Sequence, residues 1–157
     1  MMKPIYALVA LIGVVYLAGT VYATSGARGI RNNNPGNIKK TNDRWLGLAR
    51  VQDDETFFIF ENKYYGIRAL MKLLINYKKL HGLTTVNEVI NRYAPTSEND
   101  THDYLISVFQ YTSIPSNKEI DLENKEILFK LTKAIINHEN GKQPYSQADF
   151  ESAYSLI

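Results

Sequence analysis

The chain contains no cysteine. That excludes a disulfide framework, a thiolate metal site and a cysteine nucleophile. It has little excess charge of either sign: the formal net charge is +2 over 157 residues, with acids and bases well mixed. So small an imbalance gives no reason to expect nucleic acid as a partner. No glycine-rich phosphate loop and no Gly-x-Ser-x-Gly elbow is present, which removes two large enzyme classes. Histidine is scarce as well. Of His81, His102 and His138, only His138 precedes a glutamate, and Lys142 stands where a zinc peptidase would place its second histidine. No metal and no cofactor is expected. There is no internal repeat and no low-complexity tract, and the length suits a single domain of ordinary size.

Two features are plentiful. Eleven tyrosines supply rings with polar tips, suited to core margins and to sugar-stacking surfaces. The second is an apolar run over residues 5–23, preceded by Lys3 and uninterrupted by charge. As a helix it is long enough to span a hydrocarbon core of roughly 30 Å, with Tyr6 and Tyr22 near its two ends. A membrane anchor is expected, with a cleaved signal peptide ending near Val21-Tyr22-Ala23 as the alternative. Arg28, Arg31, Lys39 and Lys40 follow the run. By the positive-inside rule they would hold the rest of the chain in the cytoplasm if the run is an anchor. The division is therefore 1–26, hydrophobic anchor or signal peptide, and 27–157, one folded domain.

In that domain, Gly29–Ile38 holds four asparagines, a proline and two glycines and predicts turns. Short strands are expected at Ile38–Lys40, Trp45–Val51 and Thr56–Phe60, the last being β-branched and aromatic. Helices are expected from about Asn62 to Gly82, from Thr85 with Glu88 at capping-box spacing to Pro95, and through Tyr104 to Phe109. The longest is expected from an Asp121 cap to Asn140, and a last one opens at Ser146 and Asp149.

Among the acids, Glu139 has the most telling address: the last helical turn, beside Asn140 and the stop Gly141. The negative end of the helix dipole disfavours a carboxylate there. Glycosidic cleavage needs an acid that keeps its proton to protonate the leaving oxygen. A solvent-exposed helix-end glutamate is the plain alternative.

Several motifs occur together. They are Arg28-Gly29-Ile30-Arg31-Asn32-Asn33-Asn34-Pro35-Gly36-Asn37-Ile38, Trp45-Leu46-Gly47, Tyr65-Gly66-Ile67-Arg68-Ala69-Leu70, Tyr93-Ala94-Pro95, Glu98-Asn99-Asp100-Thr101, and Ile135–Gly141 followed by Gln143-Pro144-Tyr145. Between about Arg28 and Tyr145 the chain resembles a family of phage virion proteins associated with peptidoglycan degradation, of lysozyme-like and lytic-transglycosylase-like character. A glutamate at a helix end before a glycine or small polar residue is also similar to the catalytic glutamate of lytic transglycosylases and goose-type lysozymes.

The resemblance implies an α+β, mainly α-helical, lysozyme-like domain with a small β-hairpin region, plus the N-terminal transmembrane helix. It implies cleavage of the peptidoglycan glycan as the phage passes into or out of its host, by a lytic transglycosylase or muramidase using Glu139. An inactive peptidoglycan-binding or structural virion protein is the alternative. In the lysozyme superfamily the catalytic glutamate precedes the hairpin, whereas Glu139 follows it. A circular permutation would reconcile the order; otherwise Glu61 is the second candidate and Glu55 the third. Asp100 is available as a second carboxylate, though a lytic transglycosylase needs only one acid. Substrate contacts are expected from Asn33, Asn34, Asn37, Trp45, Asn99, Asn140 and Tyr145. The expected partners are peptidoglycan, a lipid membrane through residues 5–23 and other virion proteins, at the virion membrane or host envelope or, after signal cleavage, in secreted form.

Overall fold

The computed structural model describes residues 26–97 and 100–157. These form six helices, each opened and closed by residues with a local reason to do so. α1 (Arg28–Arg31) is a single turn. α2 (Lys63–His81) is capped by the Asn62 side chain, which accepts from the Tyr64 and Tyr65 amides, and ends at Gly82 in the left-handed region. α3 (Val86–Tyr93) begins with a complete capping box of Thr85 and Glu88. α4 (Thr101–Thr112) is capped by Asp100 and α5 (Lys125–Asn140) by Asn124. α6 (Gln147–Tyr154) begins with a second capping box, Ser146 with Asp149.

The helices pack around α5. Leu128, Leu131 and Ile135 on its inner face are fully buried, each contributing about 1.5–3 kcal/mol by removal from water. α2 and α4 lie against this helix, α1 sits at its C-terminal end, α6 covers α2, and α3 packs on α4. The apolar stripe of α2 (Ile67, Leu70, Met71, Leu74) is likewise withdrawn from water, as its i, i+3, i+4, i+7 spacing predicts.

Several expectations need correction. Among the described residues there is no strand and no sheet, so the α+β, lysozyme-like architecture with a β-hairpin is replaced by a helical one, and the permutation invoked to rescue it falls too. What remains of the sheet is a set of isolated antiparallel bridges, Lys39 with Phe57 and Leu48 with Phe60. The cause is competition from side chains for the backbone groups a ladder would use. Gln52 donates to the Ala49 and Ile59 carbonyls and accepts from the Ile59 amide. Asp54 accepts from the Thr56 and Phe57 amides. Asn34 takes the Ile38 amide and the Ile38 and Phe58 carbonyls.

Asp121 does not cap α5; it pairs with Lys78, and the helix starts at Lys125. With 16 residues α5 is shorter than α2, which has 19. Gly29–Ile38 is not turn throughout, because α1 takes its first residues. Membrane anchoring is corrected as well: among the described residues no helix is long and apolar enough to cross a membrane. The run 5–23, on which that expectation stood, lies outside the described residues.

Candidate active site

The asparagine loop is built mostly for its own support. Asn33 and Asn37 adopt φ of 51° and 48°, which asparagine tolerates better than most residues. Asn32 donates to Asp54 at 2.7 Å, and Asn33 donates to the Phe60 carbonyl at 3.1 Å. Asn34 is completely buried and saturated by the three bonds described above. Together these amides tie the loop to residues 54–60. Asn37 is different: its Nδ2 reaches across the fold and donates to Oε2 of Glu139 at 2.8 Å.

The other carboxylate oxygen of Glu139 is held from α4, where the Tyr104 hydroxyl donates to Oε1 at 3.0 Å. The Tyr104 ring stacks on His138, centroids 3.7 Å apart, and meets Tyr93 edge-on at 6.3 Å. Tyr93 donates in turn to the Gly36 carbonyl of the loop. Burial above all, with nearby Glu139 adding to it, pushes both phenols well above their ordinary value. They remain protonated and available as donors across the neutral range.

Next to the glutamate, Asn140 closes α5 against the loop, donating to the carbonyls of Pro35 at 2.7 Å and Ile136 at 2.9 Å. The amide oxygens of Asn37 and Asn140 are buried without a hydrogen-bond donor among the described residues. Both converge on Gly29, where an added Cβ would stand 2.7 Å from each. Only glycine lets the loop and the end of α5 approach this closely.

Glu139 lies on the wall of a cleft of about 400 Å³, also lined by Asn37, Asp43, Trp45, Phe57 and Tyr77. The indole Nε1 of Trp45 is buried with no acceptor among the described residues. Three of the expected site residues, Glu139, Asn37 and Trp45, therefore share one cavity, and Asn140 braces it from behind. Asn33 and Asn34 do not line it, because their amides bond Phe60, and Ile38 and Phe58, respectively. Tyr145 is half-buried outside the lining, its phenol pushed up to about 12 by burial. Glu61 and Glu55 are exposed and away from the cleft. Asp100 is the α4 cap, accepting from the Asp103 amide, and Asn99 lies outside the described residues.

Two residues of the site escaped the sequence reading. Tyr104 looks like any core aromatic at helical spacing. Asp43 looks like a turn residue, and it is one: Thr41 Oγ1 donates to its carboxylate at 2.6 Å and accepts from its amide at 3.1 Å. No local pattern says that this turn borders the cleft holding Glu139.

No protein-family model matches the chain. Over 131 residues it is 37% identical to Protein P5 of Pseudoalteromonas phage PM2, covering 82% of this chain and 80% of that protein. The matched length is most of both molecules and so takes in the bulk of the helical domain. The chain belongs to the family of Protein P5 of Pseudoalteromonas phage PM2.

Proposed function

We propose that this protein cleaves the glycan strand of bacterial peptidoglycan between N-acetylmuramic acid and N-acetylglucosamine, with Glu139 as acid/base. The setting of one carboxylate carries the proposal: Glu139 borders a cleft of sugar-sized dimensions and is oriented from two sides by Asn37 and Tyr104. A general acid must hold its proton at a fixed place within hydrogen-bond reach of the leaving oxygen.

In the first step the protonated carboxyl gives its proton to the glycosidic oxygen. The C1–O bond breaks, and its electron pair leaves with that oxygen. The sugar passes through an oxocarbenium-like state. Glu139, now a carboxylate, takes a proton from the nucleophile as that attacks C1. Water as nucleophile completes hydrolysis. The sugar's own 6-hydroxyl completes transglycosylation and leaves a 1,6-anhydro end. Asp43, on the same cleft, is available to offset positive charge at C1. Trp45 lines the same cleft and offers a ring to a sugar.

A second function is favoured by one observation. A carboxylate with both oxygens already engaged also ties α4, α5 and the asparagine loop together, which a non-cutting peptidoglycan-binding or structural module would equally use. Release of soluble fragments from purified peptidoglycan separates the two. The wild-type chain is expected to release them, and Glu139→Gln, folded by circular dichroism, to be slower by about 10²–10⁴-fold. Near-normal turnover by Glu139→Gln removes the assignment. Binding without turnover by the wild type supports the module. Mass spectrometry of the products for 1,6-anhydro ends identifies the nucleophile.

A further inference from the structure

The cleft does not end at Trp45. It opens into a second groove of about 490 Å³, and Asp43, Trp45, Leu73 and Tyr77 line both. The character changes along the way. The second groove is bordered by Arg44, Arg68, Lys72, His81 and Arg92, with Asp43 the one acid among the described residues lining it. The chain as a whole has 18 lysines and arginines against 16 aspartates and glutamates, so this concentration of one sign is local.

These cations are also arranged differently from the rest. On α2, Lys63, Lys78 and Lys79 each meet a carboxylate, from Asp149, Asp121 and Glu123 respectively. Lys72, on the same helix, has no hydrogen bond or ion pair among the described residues, and neither does Arg44. Arg68 donates to the Leu156 carbonyl at 2.9 Å. Arg92 contacts His81 Nε2 at 2.9 Å and lies over the Tyr77 ring. Among the described residues no carboxylate pairs with either arginine. Unopposed cations along a groove repel one another and favour an anionic occupant. Because four residues line both, a branched ligand seated beside Glu139 can reach the groove.

We propose that the basic groove receives the acidic stem peptides carried by the muramic acid residues, so that peptide-bearing glycan is the preferred substrate and bare glycan a poor one. This rests on the glycan-cleaving function proposed above. N-acetylglucosamine carries no charge, and the lactyl carboxyl of muramic acid is neutral while it is amide-bonded to a peptide. The negative groups of the strand are the free carboxylates of the peptides on the muramic acid lactyl group, and these project to the side of the sugar chain. Guanidinium and ammonium groups engage carboxylates through charge-assisted hydrogen bonds. Arg44 adjoins Trp45, the residue at which glycan cleft and basic groove meet.

The test is a binding measurement on the full-length chain carrying Glu139→Gln, which leaves the probes uncut. The probes are fluorescent glycan strands with their stem peptides, the same strands stripped of peptides by an amidase with the freed lactyl carboxylates then capped as neutral methylamides, and duplex DNA. Peptide-bearing strands are expected to bind about tenfold more tightly than stripped ones, an advantage that shrinks as salt is raised. Adding Arg44→Ala and Lys72→Ala together is expected to abolish that advantage while leaving affinity for stripped strands as it was. Neither side chain holds a bond in the fold, so the melting temperature should hold or rise slightly as repulsion is relieved. Equal affinity for the two strands, failure to bind either, or an equal loss on both in the double variant overturns the proposal. Tighter binding of DNA than of peptide-bearing strands, dependent on Arg44 and Lys72, overturns it in favour of a phosphate polymer. Cleavage is scored separately on the wild type. A peptide preference without turnover sinks the enzymatic function and keeps the groove; turnover without a preference does the reverse.

Discussion

Tyr104 reaches the candidate acid through one hydroxyl, and that hydroxyl can be removed almost cleanly. In Tyr104→Phe the ring keeps its stack on His138 and its edge contact with Tyr93, while Oε1 of Glu139 loses its donor. If the hydroxyl positions the acid, kcat on peptidoglycan should fall by about tenfold with KM nearly constant, since the lost bond acts on the acid rather than on bound sugar. A purely structural hydroxyl would instead lower the melting temperature and leave kcat per folded molecule unchanged. At this scale the address of the candidate, at the C-terminal end of α5, was legible in the sequence. Its position at a helix end before Gly141 set Glu139 apart from every other glutamate. Its holders were not. The periodicity of α4 places Tyr104 on a buried face but does not say where a phenol ends, and Asn37 looks the same as Asn33 and Asn34 until the fold gives each amide a different acceptor.

The element most exposed to a small change is the start of α2. Gly66 lies where the asparagine loop crosses the helix, and a Cβ there would overlap the Asn33 carbonyl oxygen. Gly66→Ala is expected to destabilise the protein by about 1–3 kcal/mol, although alanine is the better helix former. Urea denaturation measures this directly, and a neutral or stabilising result would show that the crossing can relax. The helices themselves were readable because caps and apolar spacing agreed: Asn62 and Gly82 bracket α2, and both capping boxes form where the sequence placed them. The sheet was misread because strand propensity is a weak guide where Gln52, Asp54 and Asn34 lie close by and bond to the same backbone groups. The start of α5 slipped because Asp121 and Asn124 are both good caps, and Lys78 drew off the first.

For the whole molecule the ionisable groups define a window of pH. Arg28, followed by the Phe57 amide, holds the Asp54 carboxyl well below the usual carboxylate range; Lys78 lowers Asp121 and Lys63 lowers Asp149. A depressed folded-state value means stability that is complete above the unfolded value of about 4 and is lost as the pH falls toward the folded one. Tyr93, Tyr104 and Tyr145 are shifted the other way by burial. Their contribution is complete below the unfolded value of about 10 and is lost as the pH rises beyond it. Melting temperature against pH should therefore show a plateau between about 4 and 10 with a fall on both sides. Asp54→Asn should melt lower than the wild type on the plateau, and the gap should narrow progressively as the pH falls below about 4, where Asp54 of the unfolded chain takes up its proton. A gap that stays constant into acid would show that the Arg28 clasp contributes nothing through charge.

The bond from Asn37 to Glu139 joins residues 102 positions apart. A ribosome delivers the asparagine loop early and its partner late, with an interval on the order of 5–20 s at ordinary rates of elongation. Until the end of α5 emerges, the loop has no glutamate to hold and the cleft lacks its acid wall. A nascent or prematurely terminated chain cannot carry the candidate site, so any cutting power is withheld until nearly the whole domain has been synthesised. For a protein whose proposed target is a cell wall, the order of the chain is itself a safety delay.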